Sequence, residues 1–201
     1  MCIRDSILCI TGDSVKAGDQ QDAKAVHEFE SVRLLKQIQA FNQGIDPTFG
    51  ELSDERTFIF SGASADPSCK NQKSLENRMR KKKDAGAQFI QTQMVMKKEN
   101  LIEFCEKISN PLEMPVIAGV FLLKSYKNAL FINKNVPGAN IPENILSRLK
   151  DAKNPLQEGI EIAAEQAQDF IKIANGIHLM AVKSEHLIPE ILEKANLNLE
   201  Y

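Results

Sequence analysis

The side chains able to do chemistry in this chain gather just behind short apolar runs. "SILCIT" leads into Thr11, Gly12 and Asp13, and "TFIFSGA" into Ser61, Gly62, Ala63, Ser64 and Ala65. "AQFIQTQ" closes on Gln91, Thr92 and Gln93, "MPVIAGVF" holds Gly119 and precedes Lys124 to Tyr126, and "GIHLMAV" precedes Lys183. A carboxylate accepts two N–H bonds and an amide both gives and accepts. Asp13 and Gln93 on opposite sides of one opening would therefore suit a flat heterocycle with adjacent N–H groups, such as a pterin. Small residues beside them leave room for such a ring, and Lys183 adds a positive charge. Taken singly, Asp13 after Gly12 also fits a residue that hydrogen-bonds its own backbone in a turn.

A second group is cationic. "RMRKKKDAG" carries five basic side chains from Arg78 to Lys83. Helical spacing puts Arg78, Lys81 and Lys82 on one face, where they could reach a pyrophosphate, and leaves Arg80 and Lys83 to water. The other reading is a solvated helix face. His178 lies within a strand and reads as a satisfied core residue, His186 falls on a surface helix and His27 in a loop. No HxH, HExxH or GxSxG occurs, and no Cys and His pair stands at a spacing that marks a metal site or covalent nucleophile.

The elements that must position these residues alternate. Five β-rich runs of about five residues are nearly continuous in apolar character, as strands covered by helices are. Between them lie amphipathic segments, with Ser31, Ser74 and Pro142 as expected helix starts and Gly44, Gly86 and Gly176 as expected stops. Strand–helix alternation predicts an α/β fold with a parallel sheet. Chemistry in such folds sits outside the carboxyl ends of the strands, where the polar residues above fall. Neither a doubly wound sheet nor a (β/α)8 barrel is excluded by alternation, but no GxGxxG opens a helix. A whole barrel takes about 250 residues, roughly 30 per unit, so five units in 201 residues amount to a partial one.

Composition narrows the setting. Apolar residues make up 43% and charged residues 26%, with a net charge of -2, an ordinary globular balance that points to neither nucleic acid nor an anionic membrane as partner. The cysteines at 2, 9, 69 and 105 form no CxxC pair, which suits a reducing cytoplasm. No apolar run approaches the roughly 20 residues of a membrane span.

The strand ends resemble those of the methylenetetrahydrofolate reductase family, flavin enzymes on a (β/α)8 barrel. The blocks that carry the likeness are "ITGDSVKAGD", "VHEFESVRLL", "SGASADP", "KKKDAGAQFIQTQ", "PVIAGVFLLKSYKNALFINKNVPGANIP" and "GIHLMAV". The resemblance implies FAD as cofactor, a folate and NADH or NADPH as partners, and reduction of methylenetetrahydrofolate to methyltetrahydrofolate. It further implies that Asp13 is catalytic beside the flavin and the pterin, and that Gln93, Tyr126 and Lys183 contact substrate. Thr11, Gly12, Asp13, His27, Ala63, Ala65, Arg78, Lys81 and Lys82 would contact the cofactor. His27 stands where a flat residue often packs, and Lys183 where some members have arginine.

By the same likeness "ILCITGD" would be the fourth barrel strand and 7–201 strands four to eight with their helices; residues 1–6, "MCIRDS", have no place in the strand and read as a leader foreign to the domain. The family's first-strand glutamate, a general acid, has no match here. General acid catalysis contributes about 10² to 10⁴ in rate, so its loss would be severe. Two other readings stand beside the reductase. One is a pterin-binding methyltransferase barrel without flavin; the other is a non-catalytic barrel fragment, stable only when a partner chain supplies the missing strands. A homo-oligomer or a partner subunit is the expected assembly.

Overall fold

A computed structural model describes residues 5–12, 15, 18, 20, 22–25, 29–46, 48–51, 56–136 and 138–197. Five parallel strands form the main sheet, β1 (Ser6–Cys9), β4 (Phe60–Ala65), β5 (Phe89–Met94), β6 (Val116–Phe121) and β7 (Gly176–Met180), while β2 (Ile45–Asp46) and β3 (Gly50–Glu51) form a separate antiparallel pair. The five stand side by side in chain order. A doubly wound sheet reverses its strand order at a switch point; this one does not, so the units wind in one sense, as in part of a (β/α)8 barrel. β1 begins at Ser6, the first residue of the apolar run "SILCIT", and pairs there with Phe60. Among the described residues the sheet remains open, with β1 and β7 as its edges.

The helices are α1 (Ser31–Asn42), α2 (Gln72–Asp84), α3 (Lys98–Phe104), α4 (Tyr126–Asn135), α5 (Glu143–Asp151), α6 (Pro155–Phe170) and α7 (Ile188–Lys194). Strand residues alternate between two faces. Cys9, Ala63, Ile90, Val116, Ala118 and Val120 turn toward the helices and form one buried core with Leu35, Met79, Phe104, Ile160 and Phe170. The alternate residues Gln91, Ile117, Phe121 and His178 are half-buried on the other face, which would be the lumen of a closed barrel.

Local chemistry sets the helix ends. α1 does start at Ser31, with the Glu30 carboxylate accepting from the amides of Val32 and Arg33. α2 starts at Gln72 rather than near Ser74, because Asn71 is its cap and accepts from the Ser74 amide at 2.9 Å. Gly44 and Gly86 stop their helices in the left-handed region, at φ 80° and 103°, which costs glycine little. Gly176 does not stop a helix: α6 ends at Phe170, and Gly176 opens β7. Arg148 joins α5 to α6, its Nε donating to Glu158 and its two terminal nitrogens to the carboxylate of Glu165.

The chain enters β4 under the control of Asn42. Its Nδ2 donates to the Ile59 carbonyl at 2.9 Å, while its Oδ1 accepts from Ile59 N at 2.8 Å and Thr57 Oγ1 at 2.7 Å. Three bonds at about 1 kcal/mol each predict that Asn42→Ala costs about 2 to 3 kcal/mol in a chemical melt. A midpoint unchanged from wild type would contradict this.

Candidate functional site

Above β1 the Thr11 hydroxyl accepts from the Ser31 amide at 3.0 Å and donates to Ser31 Oγ at 3.2 Å, tying the strand end to the start of α1. At the end of β4 the Ser64 carbonyl accepts from Lys82 Nζ at 2.7 Å. Between these points opens a cavity of about 650 Å³ walled by Thr11, Glu30, Ser64, Arg78, Lys81 and Lys82. A smaller cavity of about 230 Å³ is lined by Ala65, Asp66 and Gln93 together with the same Ser64, Arg78 and Lys82. Three shared residues make the two one continuous cleft across the carboxyl ends of β1, β4 and β5.

Its electrostatics follow from burial beside charge. Burial pushes the Lys82 ammonium below its ordinary range, the Arg78 charge pushes the same way, and Glu30 partly offsets both. Burial also raises the Asp66 carboxyl, against the Ser68 amide and the Arg78 charge; Ser68 N donates to Asp66 Oδ1 at 2.9 Å. Arg78 Nη2 lies 3.3 Å from Cys69 Sγ. A half-buried ammonium next to a guanidinium is a site that gains from an anion, since each positive charge relieves itself on the same ligand.

Thr11, Ala65, Arg78, Lys81, Lys82 and Gln93 are thus brought together around this cleft. Asp13 and His27 lie outside the described residues. A Cβ at Gly12 would meet nothing within 4 Å, so no described neighbour requires glycine there. Ala63 does not line the cleft: it is fully buried in the helix-side core, two residues short of Ala65, which shares its face and reaches the opening at the strand end. Tyr126 is half-buried at the start of α4 and packs on a second apolar cluster that includes Met94, Leu123 and Ile132. Lys183 is exposed beyond β7, at the opposite edge of the sheet from β1, with φ 57° and its amide donating to Glu185 Oε1 at 3.0 Å. Neither Tyr126 nor Lys183 lines the cavities around Lys82.

Sequence reading missed Glu30 and Asp66. An acid placed immediately before a helix start and an Asp-Pro immediately after a strand were the signals available. His178 is satisfied, as expected, but on the lumen face: its Nε2 stands 2.9 Å from the Thr92 carbonyl oxygen and its Nδ1 3.5 Å from Gln91 Nε2. Among the described residues no group of three or more His, Cys, Asp or Glu could hold a metal ion, and no helix is long and apolar enough to cross a membrane.

The family profile described as methylenetetrahydrofolate reductase matches residues 2–196. The chain belongs to the methylenetetrahydrofolate reductase family. A methylenetetrahydrofolate reductase of Saccharomyces cerevisiae, designated number 2, is 28% identical over 127 residues, a match covering 59% of this chain and 21% of the yeast protein. An uncharacterized protein from Clostridium thermocellum, described as binding two copies of 5-methyl-5,6,7,8-tetrahydrofolic acid, shares the fold with a TM-score of 0.53 at 17% identity. That likeness covers 70% of this chain and 54% of the clostridial one. The methylenetetrahydrofolate reductase family chain described here therefore spans only part of the length of either protein.

Proposed function

We infer that the chain serves the flavin-dependent reduction of methylenetetrahydrofolate to methyltetrahydrofolate with NADH or NADPH as donor. The observation that carries this reading is the continuous cleft in which Arg78 and Lys82 of α2 line the same part as Gln93 while Lys81 joins them in the larger part. The larger part, at about 650 Å³, is within the roughly 300 to 1,000 Å³ of small-molecule sites. Arg78, Lys81 and Lys82 fit the phosphates of FAD, whose bound flavin would supply hydride transfer between nicotinamide and folate. Gln93 offers a donor and an acceptor to the pterin edge, and Asp13, two residues beyond Thr11, would be the carboxylate partner. The same reading sets the protein in the cytoplasm, in keeping with the free thiols of Cys9, Cys69 and Cys105.

The test is reconstitution of the purified chain with FAD, followed by titration with methyltetrahydrofolate. Gln93→Leu removes two neutral hydrogen bonds worth about 0.5 to 1.5 kcal/mol each, so folate affinity should fall about tenfold while FAD affinity holds. A protein that stays colourless and takes up no flavin sinks the reading. The clostridial fold neighbour described as a methyltetrahydrofolate binder favours one second reading, a flavin-free methyltransferase barrel. On that reading substituting Lys81 and Lys82 leaves folate chemistry untouched.

A further inference from the structure

We propose that His178 positions Gln93 by locking a bulge in β5. The inference rests on the folate-binding role given to Gln93 above and adds to it a residue from a strand two places away. β5 and β6 pair in register at Gln91 with Ile117 and again at Met94 with Gly119. That is three steps on β5 (94 − 91) against two on β6 (119 − 117), so one extra residue is inserted immediately before the exposed Gln93 side chain or at it. An extra residue breaks the ladder, and the backbone groups it strands need other partners.

Those partners are all present. The Gly119 amide, which would otherwise bond the β5 backbone, donates to Thr92 Oγ1 at 2.9 Å, and the same hydroxyl donates to the Gln93 carbonyl at 2.7 Å. The Thr92 carbonyl is taken by His178 Nε2 at 2.9 Å. A carbonyl only accepts, so Nε2 carries the proton, and Nδ1 is left as the acceptor facing Gln91 Nε2. Burial holds the imidazole in that neutral form by pushing its pKa down. The contact passes over Gly119, where a Cβ would lie 2.6 Å from the Gln93 carbonyl oxygen and 2.9 Å from His178 Nε2. Both carbonyls flanking the Gln93 amide linkage are thereby fixed, one by Thr92 and one by His178, and the direction of the Gln93 side chain is fixed with them. His178 lies on the half-buried lumen face, not in the helix-side core, so its removal frees the bulge without opening the fold.

The experiment compares His178→Ala, His178→Gln, Gln93→Leu and the double variant His178→Ala with Gln93→Leu in FAD-reconstituted protein. Methyltetrahydrofolate titration and amide hydrogen exchange are both read. His178→Ala should weaken folate about tenfold and leave FAD affinity unchanged. His178→Gln, whose amide can donate to the same carbonyl, should recover affinity to within about threefold of wild type. In the Gln93→Leu background His178→Ala should add nothing, since the group it positions is gone. Exchange at the Gly119 amide should rise about tenfold in His178→Ala even without ligand. Thr92→Val, which keeps the side-chain volume, repeats the folate measurement from the other side of the lock should His178→Ala fail to fold. Unchanged Gly119 exchange, or folate losses that multiply in the double variant, overturns the positioning role. Gln93→Leu binding folate like wild type overturns the functional reading instead, and the exchange result then still decides whether the lock exists.

Discussion

Lys82→Met should weaken FAD binding by about ten- to a hundredfold. The substitution keeps most of the apolar stem and removes the ammonium that the Ser64 carbonyl aims at the cleft. A charge-assisted bond to a phosphate contributes about 1.5 to 3 kcal/mol, and the half-buried position spares the pair most of the screening that erases exposed ones. Lys81 is exposed, so the same change there should cost several-fold less. The pH dependence has a fixed sign. Burial and Arg78 hold the Lys82 pKa below 10.5, so the cation is lost earlier than usual as pH rises, and FAD affinity should fall on the alkaline side. In Lys82→Met that alkaline fall should shrink. Flavin fluorescence titrations across pH check both statements; a variant with wild-type affinity would remove Lys82 from the site.

Gly159→Ala should be the most damaging small substitution in the helices. A Cβ there would stand 1.8 Å from the Leu123 carbonyl oxygen and 2.9 Å from its carbon. Both are backbone, in the segment that leaves β6, and backbone held on both sides does not step aside as a side-chain tip does. Overpacking costs about 1 to 3 kcal/mol and more in rigid surroundings. A loss of about 3 kcal/mol would lower Tm by roughly 10 °C in a chain of this size. The segment also leads into α4 through Ser125, which caps it by accepting from Asn128 N at 3.1 Å, so the strain should reach the half-buried Tyr126. Differential scanning calorimetry is the check, and an unchanged Tm would show that the contact relaxes freely.

Alternation made the fold legible. Each of the five apolar runs became a parallel strand, and the absence of any order reversal in the sheet decided between two architectures that alternation alone had left open. The basic face of α2 was also legible, because a 3.6-residue period is enough to group Arg78, Lys81 and Lys82. What escaped has physical reasons. β2 (Ile45–Asp46) and β3 (Gly50–Glu51) pair as a hairpin of two residues each, too short to show any period. Ser74 is the expected helix start, yet it is the residue whose amide the true cap, Asn71, binds, so the polar cluster marks the helix end but sets the start late. Ala63, small enough to suit the opening, lies two residues too deep in its strand: Ala65 on the same face reaches the cleft and Ala63 stays in the core. The contact between His178 and Thr92 joins groups 86 residues apart across a bulge, and no local pattern encodes it.

The most direct test of the cleft as a flavin phosphate site is the affinity of the purified chain for FAD set against riboflavin, which has the same ring and no phosphate. With Arg78, Lys81 and Lys82 on the phosphates, FAD should bind at least about a hundredfold more tightly. Equal affinity for the two, or binding of neither, would contradict the account.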